Sequence, residues 1–306
     1  MFIEQAYKGK NNWWRVLITT FVATAIFILN FVVYIFSSKE TIDSSYDLMK
    51  SWPKIVSLVA NLVPFVFLLA LLFVTVHFIH KRSIISLTTS RKKVDFSRIA
   101  FSFALVVFFT LLSFGISYYI DNSSVIWNFH LGKFLILFGV SLLLFPTQIG
   151  FEEYLFRGYL MQQIGIIAKN RWTPLVITSV FFGLFHNANP EVSEMGYGVM
   201  VFYIGTGFLL GIMTLMDESL ELSLGFHLGN NLMAALLITS DYSALQTDAV
   251  FRLSTKENTA DTLNEMILSM VIIYPIILFI LAKKYKWTNW KEKLTGRVSE
   301  NTNLNT

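Results

Sequence analysis

Three short stretches of the chain carry acid, base and amide side chains where the surroundings are otherwise apolar. The first, GFEEYLFRGYL (Gly150 to Leu160), sets Glu152, Glu153 and Arg157 beside residues suited to a membrane core. Two carboxylates and a guanidinium in hydrocarbon cost several kcal/mol, a cost rarely tolerated without a use. On a helix Glu153 and Arg157 are four residues apart and pair, whereas Glu152 is turned by about 100° from Glu153 and lacks that partner. The second stretch, FFGLFHNANP, ends an apolar run on His186 and Asn187. The third, LGFHLGNN, puts His227 and Asn231 on one helix face. A carboxylate that takes a proton from water, with imidazole and amide N–H groups that receive an oxyanion, is the equipment of a hydrolase.

Each stretch alone also has a plain structural reading. Glu152, Glu153 and Arg157 could mark a charged helix end at the membrane surface. His186 could be an interfacial histidine, as His77, His80 and His130 beside predicted span boundaries are read. His227 and Asn231 could join helices inside a bilayer, with Gly225 and Gly229 allowing close approach. Position favours the functional reading. Midway between Glu152 and His186 lies Lys169, in the turn AKNRW. If two antiparallel helices meet there, Glu152 and His186 face each other, each about 25 Å from the tip at 1.5 Å per residue. His227 lies roughly 13 Å in from Glu218 on the same side by the same rise. The three stretches then meet in one half of the bilayer. After His186 the chain reads NANPEVSEM, polar and helix-breaking at Pro190. Irregular backbone at that depth is tolerated where it lines a water-filled cavity.

The elements that must position these residues are membrane helices. The 306 residues are 54% hydrophobic and only 14% charged, with 29 Phe, which is too apolar for a soluble domain. The fold class is therefore all-α, a polytopic integral membrane protein of about eight transmembrane helices, with the lipid bilayer as its medium. Six spans are clear: Trp14–Phe36, Ile55–His80, Ile99–Ile120, Phe134–Gly150, Tyr197–Met216 and Leu263–Ala282. Pro174–His186 and Leu220–Ile238 are weaker because they carry polar residues. The N-terminal run has no small-residue cleavage site and reads as a retained first span. No cysteine is present, which excludes disulfides, thiolate metal sites and a cysteine nucleophile.

A net charge of +4 here sets orientation and does not imply nucleic acid as a partner. Lys8, Lys10 and Arg15 fall on the same face as Lys81, Arg82, Arg91, Lys92, Lys93 and Arg98, as Lys169 and Arg171, and as Lys283, Lys284 and Lys286. That face is expected to be cytoplasmic, with both termini on it and the loops 37–53, 121–132 and 239–262 outside. The chain divides into N-terminal helices and a basic loop (1–98), a core containing the three stretches (99–290) and a polar tail expected to be disordered (291–306).

The three stretches match a known pattern. EEYLFR resembles an EExxxR motif, FGLFH (Phe182 to His186) an FxxxH motif, and HLGNN (His227 to Asn231) an HxxxN motif. Their order and spacing resemble the CPBP family of CAAX-protease and bacteriocin-processing intramembrane endopeptidases, also called Abi proteins, over roughly residues 130–240. The resemblance implies an intramembrane peptidase of the cell membrane acting on a peptide or lipidated peptide. It implies Glu152 as general base, His186 holding the same water, His227 and Asn231 as oxyanion donors, and Glu153 and Arg157 in support. No cofactor is favoured. Zinc on Glu152 or Glu153, His186 and His227 is the alternative. The competing reading is a non-enzymatic bacteriocin-immunity factor or membrane scaffold, and a transporter is weaker because no inverted repeat is visible.

Overall fold

The computed structural model describes residues 1–240, 243–254 and 259–300. Six of the described helices are long and apolar enough to cross a bilayer. They are α1 (Trp13–Phe36), α3 (Lys54–Val74), α5 (Phe96–Ile120), α6 (Leu131–Glu153), α10 (Val199–Asp217) and α12 (Thr259–Tyr285). The two weaker spans form α8 (Trp172–Leu184) and α11 (Glu221–Leu236), of 13 and 16 residues. Short helices complete the framework: α2 (Lys39–Ser51), α4 (Ile85–Thr88), α7 (Met161–Ala168), α9 (Pro190–Met195) and α13 (Trp290–Thr295). The outer helices turn bulky apolar side chains outward, with Tyr119 90%, Phe36 84% and Leu143 74% exposed. A helix apolar all round belongs in lipid, and this surface suits hydrocarbon and not water. The protein is a polytopic, mainly helical membrane fold.

Polar groups and glycines set the inner packing. Asp95 caps α5 by accepting from the Ser97 N–H at 3.0 Å. Gly207 on α10 lies over α8, where a Cβ would sit 2.6 Å from the Ser179 carbonyl oxygen. Gly225 and Gly229 on α11 press in the same way on the Ile99 and Phe103 backbone of α5, the close approach anticipated from their size. These crossings bring α8, α10 and α11 around the end of α6.

Three features differ from the sequence reading. The fourth span does not stop at Gly150. The helix runs on through a π-helical segment, Tyr154–Leu160, into α7, giving one apolar rod from Leu131 to Ala168. It ends where Lys169 turns left-handed at φ 54°. No proline interrupts 150–168, and the rod is covered on its polar side, so nothing forces an early end.

Secondly, the loops at the end away from the basic clusters form a small sheet of order β1-β3-β2. Strand β1 (Val125–Trp127) is antiparallel to β3 (Phe251–Leu253), and β2 (Ile238–Thr239) is parallel to it. Val125, Ile126 and Trp127 are good strand formers, which a count of apolar spans does not weigh.

Thirdly, the tail expected to be disordered from 291 is ordered as far as residue 300. After α13, Arg297 bridges to Asn170, the Val298 N–H donates to the Lys169 carbonyl, and Val298 is buried beside Ile3, Met161 and Leu175. Its polar composition hid one apolar anchor. Residues 301–306 lie outside the described residues.

The face holding the basic clusters is less bare than the sequence implied. Arg91 donates to Asp217 Oδ2 at 2.9 Å and also reaches Glu221, and Arg98 reaches Asp217. Arg171, fully buried, pairs with Glu218 at 3.0 Å and with Glu4 at 3.5 Å, and Lys293 meets the same Glu218 at 2.5 Å. The N-terminal turn Ile3–Lys8 tucks against α7, so both ends of the described chain close over the turns α7–α8 and α10–α11.

Candidate active site

Glu152 and Glu153 are the last two residues of α6, at 8% and 0% exposure. One turn on, Arg157 donates from Nη1 to Glu153 Oε1 at 2.8 Å, the pairing expected from the spacing. Its Nη2 donates to the Gly207 carbonyl of α10 at 3.2 Å, and its guanidinium lies 4.2 Å from the Phe182 ring centre. The π segment begins at Tyr154, directly after the pair. Such widened turns recur at functional sites, where they redirect side chains without breaking the helix.

His227, on α11, lies between the two carboxylates. Its Nδ1 is 2.8 Å from Glu153 Oε1, and its Nε2 is 3.6 Å from Glu152 Oε2. A carboxylate only accepts, so Nδ1 carries a hydrogen and Nε2 is the nitrogen left for chemistry. Glu152 Oε1 accepts from Gln148 Nε2 at 3.1 Å, while its Oε2 has no protein partner. Gln148 lies one helical turn before Glu152, a partner that the spacing of Glu153 and Arg157 does not point to.

His186 follows α8, in the turn that succeeds Leu184. Its Nδ1 is 2.8 Å from the Phe182 carbonyl, so that nitrogen too is a donor and Nε2 is left as an acceptor. Phe182 links the two imidazoles, its ring centre lying 4.9 Å from that of His186 and 5.6 Å from that of His227. Tyr203, on α10, stacks on His186 at 4.4 Å. Asn231 is one helical turn beyond His227, where its Oδ1 accepts from Asn230 at 3.2 Å. Among the described residues it makes no hydrogen bond to the glutamates or histidines.

The fold thus brings Glu152, Glu153, Arg157 and His227 into direct contact, sets His186 alongside and leaves Asn231 at the edge. With both imidazoles neutral, two carboxylates and one guanidinium leave a net negative charge in a buried space. One further proton neutralises it. Among the described residues no three His, Asp or Glu side chains converge to hold a metal ion. Glu153 Oε1 is already engaged by both Arg157 and His227.

Beside the site is a cavity of about 980 Å³ between α1, α3 and α8, lined among others by Thr24, Phe27, Phe65, Phe156, Phe181 and Phe185. None of the glutamates or histidines lines it. Phe185 faces the cavity and packs on Phe27 at 5.1 Å and Phe156 at 5.3 Å. Phe156 in turn packs on Phe182 at 5.7 Å. A wall of aromatic rings therefore separates an apolar chamber from the two imidazoles.

Residues 132–233 match the family described as type II CAAX prenyl endopeptidase Rce1-like, and all six candidate residues fall within that segment. The chain is also 29% identical over 246 residues, covering 77% of its length, to the Bacillus subtilis protein called "Uncharacterized protein YyaK", of which the match spans 81%. No solved structure matches the chain.

Proposed function

We propose, from the match of residues 132–233 to the Rce1-like family of type II CAAX prenyl endopeptidases, that the chain is an intramembrane peptidase working by glutamate-activated water. The observation that carries this reading is Glu152 itself: a buried carboxylate with one oxygen free of protein partners, beside His227 Nε2 at 3.6 Å. Neighbouring Glu153, by contrast, is held by Arg157 and His227. Each carboxylate keeps one oxygen without a hydrogen-bond partner, but Glu153 is ion-paired to Arg157 and Glu152 is not, and a carboxylate neutralised by a guanidinium is the weaker base.

In this mechanism Glu152 and the Nε2 of His186 take up the water, and Glu152 accepts its proton as the oxygen attacks the scissile carbonyl carbon. The carbonyl electrons move onto oxygen. For His227 to donate to that oxyanion from Nε2 it must be the imidazolium, because its Nδ1 hydrogen is committed to Glu153. The active state is then Glu152 ionised and His227 protonated, with Glu153 and Arg157 holding the charge of that pair. The Asn231 amide supplies a second donor. Removing one such donor in other proteases costs about 2.7–4 kcal/mol. The intermediate collapses with cleavage of the C–N bond, and Glu152 returns its proton to the leaving amine.

The substrate we propose is a membrane-associated peptide, lipid-modified or leader-bearing, and the apolar chamber behind Phe185 supports a lipid chain on it. The protein lies in the cell membrane with both termini cytoplasmic. The agreement of the basic clusters on one face supports that orientation. Quantitative proteomics of membranes and medium, comparing wild type with Glu152→Gln, tests the function. Uncleaved precursors are expected to accumulate in the variant. A phenotype that survives this isosteric change would point to the non-enzymatic immunity or scaffold reading.

A further inference from the structure

We propose that Tyr203 is a positioning residue for His186, an inference that rests on the peptidase reading for its catalytic consequence. His186 stands outside α8, in a turn in which its own N–H bonds to the Gly183 carbonyl and its carbonyl accepts from the Asn189 N–H. The helix therefore does not set its ring plane. The hydrogen bond from Nδ1 to the Phe182 carbonyl fixes where one edge of the ring points and leaves rotation about that direction open. Tyr203 removes this freedom, because its ring lies 4.4 Å from the imidazole with only 23° between the planes.

Tyr203 is itself held by anchors that do not involve His186. Asn189 Nδ2 donates to its hydroxyl at 3.3 Å, and its ring packs on the cluster of Val192, Val199 and Met200. An edge fixed by a backbone carbonyl and a plane fixed by a stacked ring together hold Nε2 in one direction. Nothing in the FGLFH segment indicates this partner, since Tyr203 lies 17 positions downstream on another helix.

The test uses full-length protein in detergent, an internally quenched peptide ending in a farnesylated cysteine and three further residues, and ¹⁵N-histidine NMR. The His186 signals are identified by their loss in His186→Gln. Tyr203→Leu is expected to lower kcat by about 10²-fold, the scale of a 1 Å misplacement, with KM within about threefold. It should also free the His186 ring to rotate about its Nδ1–H bond, read as exchange broadening of the His186 signals. Tyr203→Phe, which keeps the stack, is expected to restore both kcat and the sharp signals.

Unchanged kcat in Tyr203→Leu would overturn the proposal, as would a loss of activity that Tyr203→Phe does not rescue. If the wild type cleaves no such peptide, the CAAX-type reading fails while the NMR measurement still judges the positioning. Unbroadened His186 signals in Tyr203→Leu sink it, and broadened ones sharpened again in Tyr203→Phe uphold it.

Discussion

Two clusters of buried charge sit in this fold, and they are built on different plans. On the basic face Asp217 meets Arg91 and Arg98, Glu221 meets Arg91, and Glu218 meets Arg171 and Lys293. Every one of those carboxylates has a permanent cation, and the cations come from segments far apart in the chain, so the cluster ties the turns of the bundle together. At the end of α6 only Glu153 has a guanidinium, and the partner common to both carboxylates is an imidazole whose charge depends on a proton. The first arrangement resists change. The second leaves one oxygen of each carboxylate without a hydrogen-bond partner and relies on an imidazole for the rest of its compensation. Structural ion networks and working sites both bury charge; what separates them here is whether the compensation is permanent.

That contrast can be broken in graded steps. The largest effects should come from the α6 cluster, and they should differ in kind. Glu152→Gln is expected to lower peptide cleavage by about 10²–10⁴-fold, the usual share of a general base, while Tm in detergent holds. Arg157→Ala removes the permanent cation and strands Glu153, costing about 3–5 kcal/mol. Membrane abundance should fall with it. A Glu152→Gln variant that unfolds, or an Arg157→Ala variant that accumulates normally, would erase the distinction between the working and the supporting carboxylate.

A smaller effect is expected from Glu218→Gln. Burial pushes the Glu218 carboxyl up, but Arg171 first and then Lys293 outweigh it and bring it below the ordinary range. A lowered carboxyl stabilises the fold at neutral pH and ceases to do so as the pH falls through its depressed value. Thermal melts should therefore show a deficit of about 3 kcal/mol for the variant at pH 7, shrinking in strong acid. Equal deficits at both pH values would mean that the ion pairs do not account for the loss.

Glu191, on α9, is the opposite case and should give a smaller change still. Burial raises its carboxyl, with only partial relief from the Ala244 N–H. A raised carboxyl favours the fold at low pH, and that contribution is lost as the pH rises past the ordinary carboxylate range. Glu191→Gln should then gain about 1 kcal/mol at pH 7 and nothing at pH 4, which paired melts would read. The smallest expected effect is none: dialysis of the active protein against EDTA should leave cleavage unchanged and elemental analysis should find no stoichiometric zinc. Activity lost on chelation and restored by zinc would replace the water-activating glutamate with a metal and make Glu152 or Glu153, His186 and His227 its ligands.

Much of this architecture follows from local pattern. Runs of about 20 apolar residues can satisfy their backbone in lipid only as helices, and such runs locate α1, α3, α5, α6, α10 and α12. The i,i+4 spacing of Glu153 and Arg157, and of His227 and Asn231, needs nothing but helical geometry. The hairpin through Lys169 follows from the same rise per residue. Local pattern fails where a partner comes from elsewhere in the chain. The extension of α6 to Ala168, the single buried Val298 that orders the tail, and the pairing of Arg91, Arg98 and Arg171 with acids at the α10–α11 turn each depend on a surface that does not exist until the helices pack.

The candidate site divides along the same line. Sequence alone determined which side chains have the chemistry, since acids, imidazoles and an amide in an apolar chain stand out by cost. It also separated Glu152 from Glu153, because helical rotation by itself aims neighbours apart. Only the tertiary structure decided that one imidazole, His227, bridges both carboxylates, that Phe182 joins the two histidines, and that Tyr203 sets the plane of His186. Those are contacts between α6, α8, α10 and α11. The α8–α10 spacing among them is set by how closely Gly207 lets the two backbones approach, and no periodicity within a single helix encodes that.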